Sequence, residues 1–527
     1  MLALVVIVVF SVTVLVGTTL GGRYSVAPPV LLIVLGGLLG LIPALREIRL
    51  DPDVVLLIFL PAILYWESLN TSLREIRANL RVIMLSAVGL VIATMAAVAG
   101  IAIALGVDPK AAWVLGAVLA PTDAAAVAGL AKRMPRRALT ILRAESLIND
   151  GTALVLFAVA VSVATGDGGT GVLELGGRFL GSYAGGIAAG LVVGAVVIAV
   201  RQRLDDPLRE GAISIITPFA AFLLAEIVHS SGVVAVVTVG LLLTQAGPRI
   251  IRARSRVTSY AFWDLSTFLV NGSLFTLVGV QIPGVIDDLR EGQGGHAAWV
   301  ALAVTAVVVV TRLVWGHVIT AVIRTLDRRA SQRARRASWR VRTANGWAGF
   351  RGAVSLAAAL AVPETLGDGS PFPDRDVVVF TTAAVILLTI LVQGTTLPRV
   401  VRWARMPEDV ARGEEIQLAR TRAAEAALAA LPREAARLGV DGELLERIRD
   451  EYTDHARQLE IEYAADGDGG AEVRELDRRL RLGLLHHKRY AVIALRDARE
   501  IDDIVLREIQ AAMDIEEVRL LGPDVSD

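Results

Sequence analysis

The sequence has no cysteine, which excludes disulfides and thiolate metal sites but leaves the compartment open. It has no excess of either charge: 53 Lys and Arg stand against 53 Asp and Glu, for a formal net charge of zero. Nothing in that balance points to a nucleic-acid partner. Aromatic residues are scarce, at 5% of 527 residues. The N-terminal stretch MLALVVIVVF lacks the basic flank of a cleaved signal peptide and reads instead as a first spanning helix.

Apolar sequence is abundant. Hydrophobic residues make up 54% of the chain, and the mean hydropathy is +0.58. Nearly charge-free runs recur from Met1 to about Val400, each long enough to cross a hydrocarbon core of ~30 Å. Thirteen spans are expected, at 2–20, 28–45, 52–68, 82–105, 111–131, 139–164, 178–200, 211–228, 232–247, 261–282, 297–323, 345–363 and 376–398. The loops after odd-numbered spans gather arginine, from Arg74, Arg77 and Arg81 to the run RTLDRRASQRARRASWRVR. Those after even-numbered spans are poor in Lys and Arg, and several are acidic, such as VIDDLREGQ and PETLGDGSPFPD. Such a bias places the basic side in the cytoplasm, the N-terminus outside and the C-terminus inside.

Past residue 405 the pattern changes. Segments such as EEIQLARTRAAEAALAAL put apolar residues at helical spacing on charged faces. The break DGDGG, at 466–470, separates helices. The chain therefore divides into a transmembrane domain, 1–405, and a cytoplasmic helical tail, 406–527, that packs, dimerises or regulates. His486 and His487 beside Lys488 form a pair able to titrate near neutrality.

Polar residues inside the apolar spans carry the chemistry. In ESLINDGTALVLF, Glu145, Asn149, Ser146 and Asp150 follow one another over an arc of about 140° at 100° per residue. Charges at bilayer depth cost roughly 2.5–3.5 kcal/mol each on insertion scales, so intramembrane acids pair or mark an ion pathway. In AAWVLGAVLAPTDAAAVAGL, Pro121 interrupts the helix just before Thr122 and Asp123. A helix broken at that depth frees carbonyls that can hold a cation. In ANGWAGFRGAVSLAAALAVP, Arg351 lies between Gly349 and Gly352 and requires a carboxylate. Glu145 and Asp123 are the candidate partners, Glu145 preferred, which leaves Asp150 as the working acid. Arg312, midway along the eleventh span, has no obvious partner and reads as a packing residue. Spans five and twelve, both polar and interrupted, correspond as the broken helices of an inverted repeat.

Five segments in order, FLPAILYWESLNTSLREIR, APTDAAAV, ESLINDGTALVLF, FWDLSTFLVNGSLFTLVGVQI and GFRGAVSLAAAL, resemble the monovalent cation:proton antiporters of the sodium/proton exchanger type, NhaP-like in bacteria. The resemblance covers nearly all of residues 50–400. It implies an all-α polytopic membrane protein of about thirteen transmembrane helices, with inverted repeats and two broken crossing helices, and a homodimer. It implies that Asp150 binds cation and proton in turn, beside Asn149, Ser146, Thr122 and Asp123, with Na⁺ at Asp150, Ser146 and the Thr122 carbonyl. It also implies a buried ion pair of Glu145 with Arg351, and electroneutral exchange from Asn at position 149.

Two positions depart from the family pattern. Pro-Thr-Asp stands where relatives often have Thr-Asp-Pro. The third-span acid, Glu67, lies one residue beyond its usual place, which Trp66 occupies; Glu67 is a ligand or an interfacial acid.

The expected activity is Na⁺/H⁺ antiport at the plasma membrane, or exchange of Li⁺ or K⁺ for H⁺, serving pH and sodium homeostasis. It is secondary transport, not enzymatic turnover, and needs no cofactor beyond the transported ions. A cation channel would share the carboxylates and broken helices but would not couple to protons. An intramembrane aspartyl protease would need Asp123 and Asp150 to share a proton at close range, and Arg351 and Asn149 argue against it. A receptor acting through the C-terminal helices leaves the intramembrane polar residues without a role.

Overall fold

Segments this apolar satisfy their backbone polar groups only within themselves, and in lipid that means helices. A computed structural model of the chain is helical accordingly. It describes residues 2–24, 26–46, 54–123, 134–166, 172–204, 206–287, 294–326, 338–406, 410–464, 470–498, 500 and 503–521. The second half of the fifth expected span and most of the DGDGG break lie outside the described residues.

The first unit, Met1–Pro407, contains α1 (Leu2–Tyr24), α2 (Pro28–Gly40), α3 (Val55–Leu69), α4 (Leu73–Ala104), α5 (Pro109–Leu119), α6 (Arg136–Thr165) and α7 (Val172–Arg201). It continues with α8 (Pro207–Ile227), α9 (Gly232–Ile250), α10 (Ala253–Asp287), α11 (Gly294–Leu326), α12 (Trp339–Trp347), α13 (Ala353–Leu360) and α14 (Arg375–Ala404). Among the described residues nine of these helices are long and apolar enough to cross a membrane, and α2, α3 and α5 are shorter apolar helices. The twelfth expected span is not one helix but two, α12 and α13, parted at 348–352.

Helix starts follow local chemistry. Pro28, Pro109 and Pro207 occupy the first turns of α2, α5 and α8, where a missing N–H costs nothing. Asp108, Asp206 and Ser231 cap α5, α8 and α9 through side-chain oxygens. Helices α2 and α10 cross backbone to backbone: a Cβ on Gly36 would strike the Thr276 carbonyl, and one on Gly279 the Ile33 carbonyl. Glycine at such crossings allows the approach that dispersion packing requires in lipid.

The buried side chains form several groups, one of which runs through α1, α2, α3, α6, α10, α13 and α14 by way of Val14, Ile33, Leu142, Phe275 and Ile386. Another joins α4, α5, α6, α11, α13 and α14 through residues such as Val98, Leu115, Val304 and Val378. A third joins α3, α7, α8, α9 and the start of α10 through Leu64, Val197, Ala221, Val236 and Trp263. The candidate site lies where α3 and α10 face α5, α6 and α13.

The second unit, Glu408–Asp527, contains α15 (Val410–Leu438), α16 (Gly442–Ala464), α17 (Gly470–Asp497) and α18 (Asp503–Leu521). Lys488 and Arg489 of α17 pair with Glu516 and with Asp514 and Glu517 of α18. His486 and His487 are exposed, and His486 meets the edge of Tyr490 at 4.8 Å between ring centroids.

Candidate ion-binding site

Helix α5 stops at Leu119, and Pro121, Thr122 and Asp123 continue as unwound chain. The gap between α12 and α13 is unwound too, and the two breaks meet: the Asp123 N–H donates to the Phe350 carbonyl at 2.9 Å. Gly352 precedes α13 and lies so near the Asp123 carboxylate that a Cβ there would collide with it.

Helix α6 crosses behind this junction and fastens Thr122 from two sides. Ser146 Oγ donates to the Thr122 carbonyl at 2.6 Å, and Asn149 Nδ2 donates to Thr122 Oγ1 at 2.8 Å. The Thr122 carbonyl expected to hold a cation is thus already engaged by the Ser146 hydroxyl. A second lone pair on each oxygen stays open to a ligand.

Glu145 and Arg351 do not form the expected ion pair. Glu145 pairs with Arg312 of α11, Nη1 to Oε1 at 2.7 Å, and both side chains are buried. Arg312 also reaches Thr122 Oγ1 at 3.5 Å. The unwound backbone turns Arg351 away, so its Nε donates to the Leu119 carbonyl at 3.0 Å and Nη1 to the Gly349 carbonyl at 2.6 Å. A guanidinium at the end of α5 neutralises both the unpaired carbonyls and the negative end of the helix dipole. Arg312 is therefore an ion-pair partner as well as a packing residue.

Asp150 lies one turn past Ser146 and is buried at 7% exposure. Among the described residues no side chain hydrogen-bonds to its carboxylate, and its charged neighbours are Glu67 and Asp123. All three acids line one cavity, together with Thr122, Ser146 and the apolar walls of α3 and α10. Asn149 stands behind that wall, holding Thr122. The structure thus brings Glu67 into the same cavity as Asp150, despite its offset in sequence.

Asn271 of α10 and Ser355 of α13 also line the cavity and were not singled out from sequence. Both lie inside quoted motifs, FLVNGSLF and GFRGAVSL, so their polarity within apolar runs was the available signal. Among the described residues no group of three or more His, Cys, Asp or Glu is arranged to hold a metal ion. A transported cation would have to combine carboxylate with hydroxyl and carbonyl oxygen.

Two unwound segments that meet beside a buried carboxylate with no hydrogen-bond partner among the described residues are the kind of arrangement that ion-coupled membrane transporters use. The comparisons with known proteins agree. Residues 8–403 match the family described as sodium/hydrogen exchanger, transmembrane, and the chain belongs to that family.

It is 59% identical over 527 residues to a Mycobacterium tuberculosis protein named as an uncharacterized Na⁺/H⁺ exchanger, covering 99% of this chain and 96% of that one. It is 31% identical over 407 residues to the Na⁺/H⁺ antiporter ApNhaP of Aphanothece halophytica, covering 75% and 73%. The fold is that of the sodium proton antiporter MjNhaP1 from Methanocaldococcus jannaschii, with a TM-score of 0.58 at 17% identity over 76% of this chain and 99% of that chain. The family expected from five sequence segments is the family found.

Proposed function

We propose that the protein exchanges Na⁺ for H⁺ across the plasma membrane, one for one, by competition at Asp150. The observation that carries this reading is the Asp150 carboxylate, buried in a cavity beside two broken helices and bound by no protein donor among the described residues. An ionised carboxylate left alone in such a place is costly, so it holds either a proton or a cation. Asp150, Ser146 and Thr122 supply the oxygens for Na⁺, with Glu67 and Asp123 near enough to add charge or a proton.

Only an occupied, neutral site moves cheaply. The group built on α3 and α7–α10 then rocks against the group built on α4–α6, α11, α13 and α14, opening the cavity to each side in turn. Asn149 in place of a second acid supports charge balance. The arginine-rich loops support an N-terminus outside and a helical tail inside that regulates exchange, and the family resemblance supports a homodimer serving sodium and pH homeostasis. Exchange of K⁺ or Li⁺ in place of Na⁺ uses the same oxygens.

The test is Na⁺-driven proton movement in liposomes with a trapped pH dye. Wild-type protein is expected to respond, and to respond equally with the membrane potential clamped at zero. Asp150→Asn is expected to insert and fold but carry nothing. Substantial exchange by that variant removes Asp150 from the mechanism, and conduction without proton coupling replaces antiport by a channel.

A further inference from the structure

A second cavity lies among α3, α7, α8, α9 and α10, apart from the ion site. Its charged wall is entirely basic: Arg201 from the last turn of α7 and Arg256 from the first turn of α10. Arg201 is 3% exposed, and its Nε and Nη2 are buried without a hydrogen-bond partner. Arg256 is half-buried and gives one nitrogen to the Ile251 carbonyl at 3.5 Å. Tyr65, Thr244 and Ser259 also line this space, with the Thr244 hydroxyl donating to backbone carbonyls of α3 and α9.

Glu210, on the first turn of α8, is buried with both carboxylate oxygens unpartnered. It forms no ion pair with either arginine, nor does it line the cavity. A buried guanidinium with two free N–H donors is stable only if an anion completes it. A guanidinium fork and a second arginine suit an oxyanion with multiple acceptor oxygens.

We propose that this cavity binds a phosphate-type oxyanion, supplied either by the headgroup of an anionic phospholipid or by free phosphate. Both arginines belong to the arginine-rich ends of their helices, Arg201 to Arg209 and Arg249 to Arg256, the side that the charge bias assigns to the cytoplasm. Anionic headgroups gather at that surface.

Binding there bears on the first site through α3. Tyr65 and Leu69 of α3 face the basic cavity, while Leu64 and Glu67 of the same helix face the ion cavity. An anion on Arg201 and Arg256 fixes the wall that carries Glu67. This consequence rests on the exchange reading, whereas the binding itself does not.

The experiment is thermal unfolding of the full-length purified protein, titrated separately with short-chain phosphatidylglycerol, inorganic phosphate and short-chain phosphatidylcholine. A saturable rise in unfolding temperature is expected with phosphatidylglycerol or with phosphate, and none with zwitterionic phosphatidylcholine. A response to the lipid alone assigns the headgroup; a response to phosphate assigns the free anion. Arg201→Gln and Arg256→Gln are each expected to weaken the apparent affinity by at least about tenfold, the scale of a lost charged hydrogen bond.

No saturable response in the wild type overturns the proposal, as does an equal response to phosphatidylcholine or an undiminished response in Arg256→Gln. The partly exposed Arg256 position keeps that test available if Arg201→Gln fails to fold. Asp150→Asn is expected to bind the anion like the wild type, which separates a failure of this site from a failure of exchange.

Discussion

Glu145 and Asp150, five residues apart on one helix, show two fates of a buried acid. Glu145 is neutralised by Arg312 at 2.7 Å, and Asp150 is left to the cavity. Removing one partner of a buried pair strands the other, at a cost of about 3–5 kcal/mol. Arg312→Ala should therefore lower the unfolding temperature sharply, and Glu145→Ala should do the same. The double variant should lose much less than the sum, because neither charge is then stranded. Arg351→Ala should cost about 1–3 kcal/mol by leaving the Leu119 carbonyl unsatisfied, with little coupling to Glu145. A double-mutant cycle that finds the larger coupling between Glu145 and Arg351 would restore the pairing expected from sequence. That expectation failed for a physical reason: sequence shows that a buried arginine needs acceptors, but not that unwound backbone can supply them as carbonyls.

At the scale of elements, the two breaks interrupt otherwise ordinary spans. Pro121 announces one and the glycines around Arg351 announce the other, so both were legible. The helical, membrane-spanning character of the chain was legible too, because lipid tolerates little but long apolar helices. What stayed hidden depends on how helices lean on one another. Asn271 reaches the cavity because α10 packs beside α3; its polarity within an apolar run was the signal, but its place beside Asp150 was not readable from it. The π-helical turns at Val55–Phe59 and Leu85–Leu90 likewise follow no sequence signal we can name.

Close approach gives the element-scale predictions. Gly352→Ala places a methyl against the Asp123 carboxylate and should reduce exchange by ~tenfold or more, in line with losses from small misplacements at reacting sites, while leaving insertion intact. Gly279→Val should separate α2 from α10 and destabilise the protein by about 1–3 kcal/mol, as overpacking does, read as a fall in unfolding temperature.

For the whole molecule, the absence of cysteine becomes an experimental advantage, since a single introduced thiol reports its own location. Asp368 lies in the exposed connection between α13 and α14, and Arg203 in the exposed connection between α7 and α8. Asp368→Cys should react with an impermeant maleimide in intact cells, and Arg203→Cys only after permeabilisation. The reverse pattern would invert the orientation drawn from arginine placement. The cavity holding Asp150 lies between α3 and α10 on one side and α5, α6 and α13 on the other, and the proposed exchange requires it to open to each face in turn.

The central claim is that cation and proton exclude each other at Asp150, and it can be measured without a membrane. Purified protein in weak buffer, with a pH indicator present, would be mixed with Na⁺. Competition requires proton release that saturates with Na⁺ in the wild type and vanishes in Asp150→Asn. Saturable Na⁺ binding with no proton released, or the same release from the variant, would contradict it.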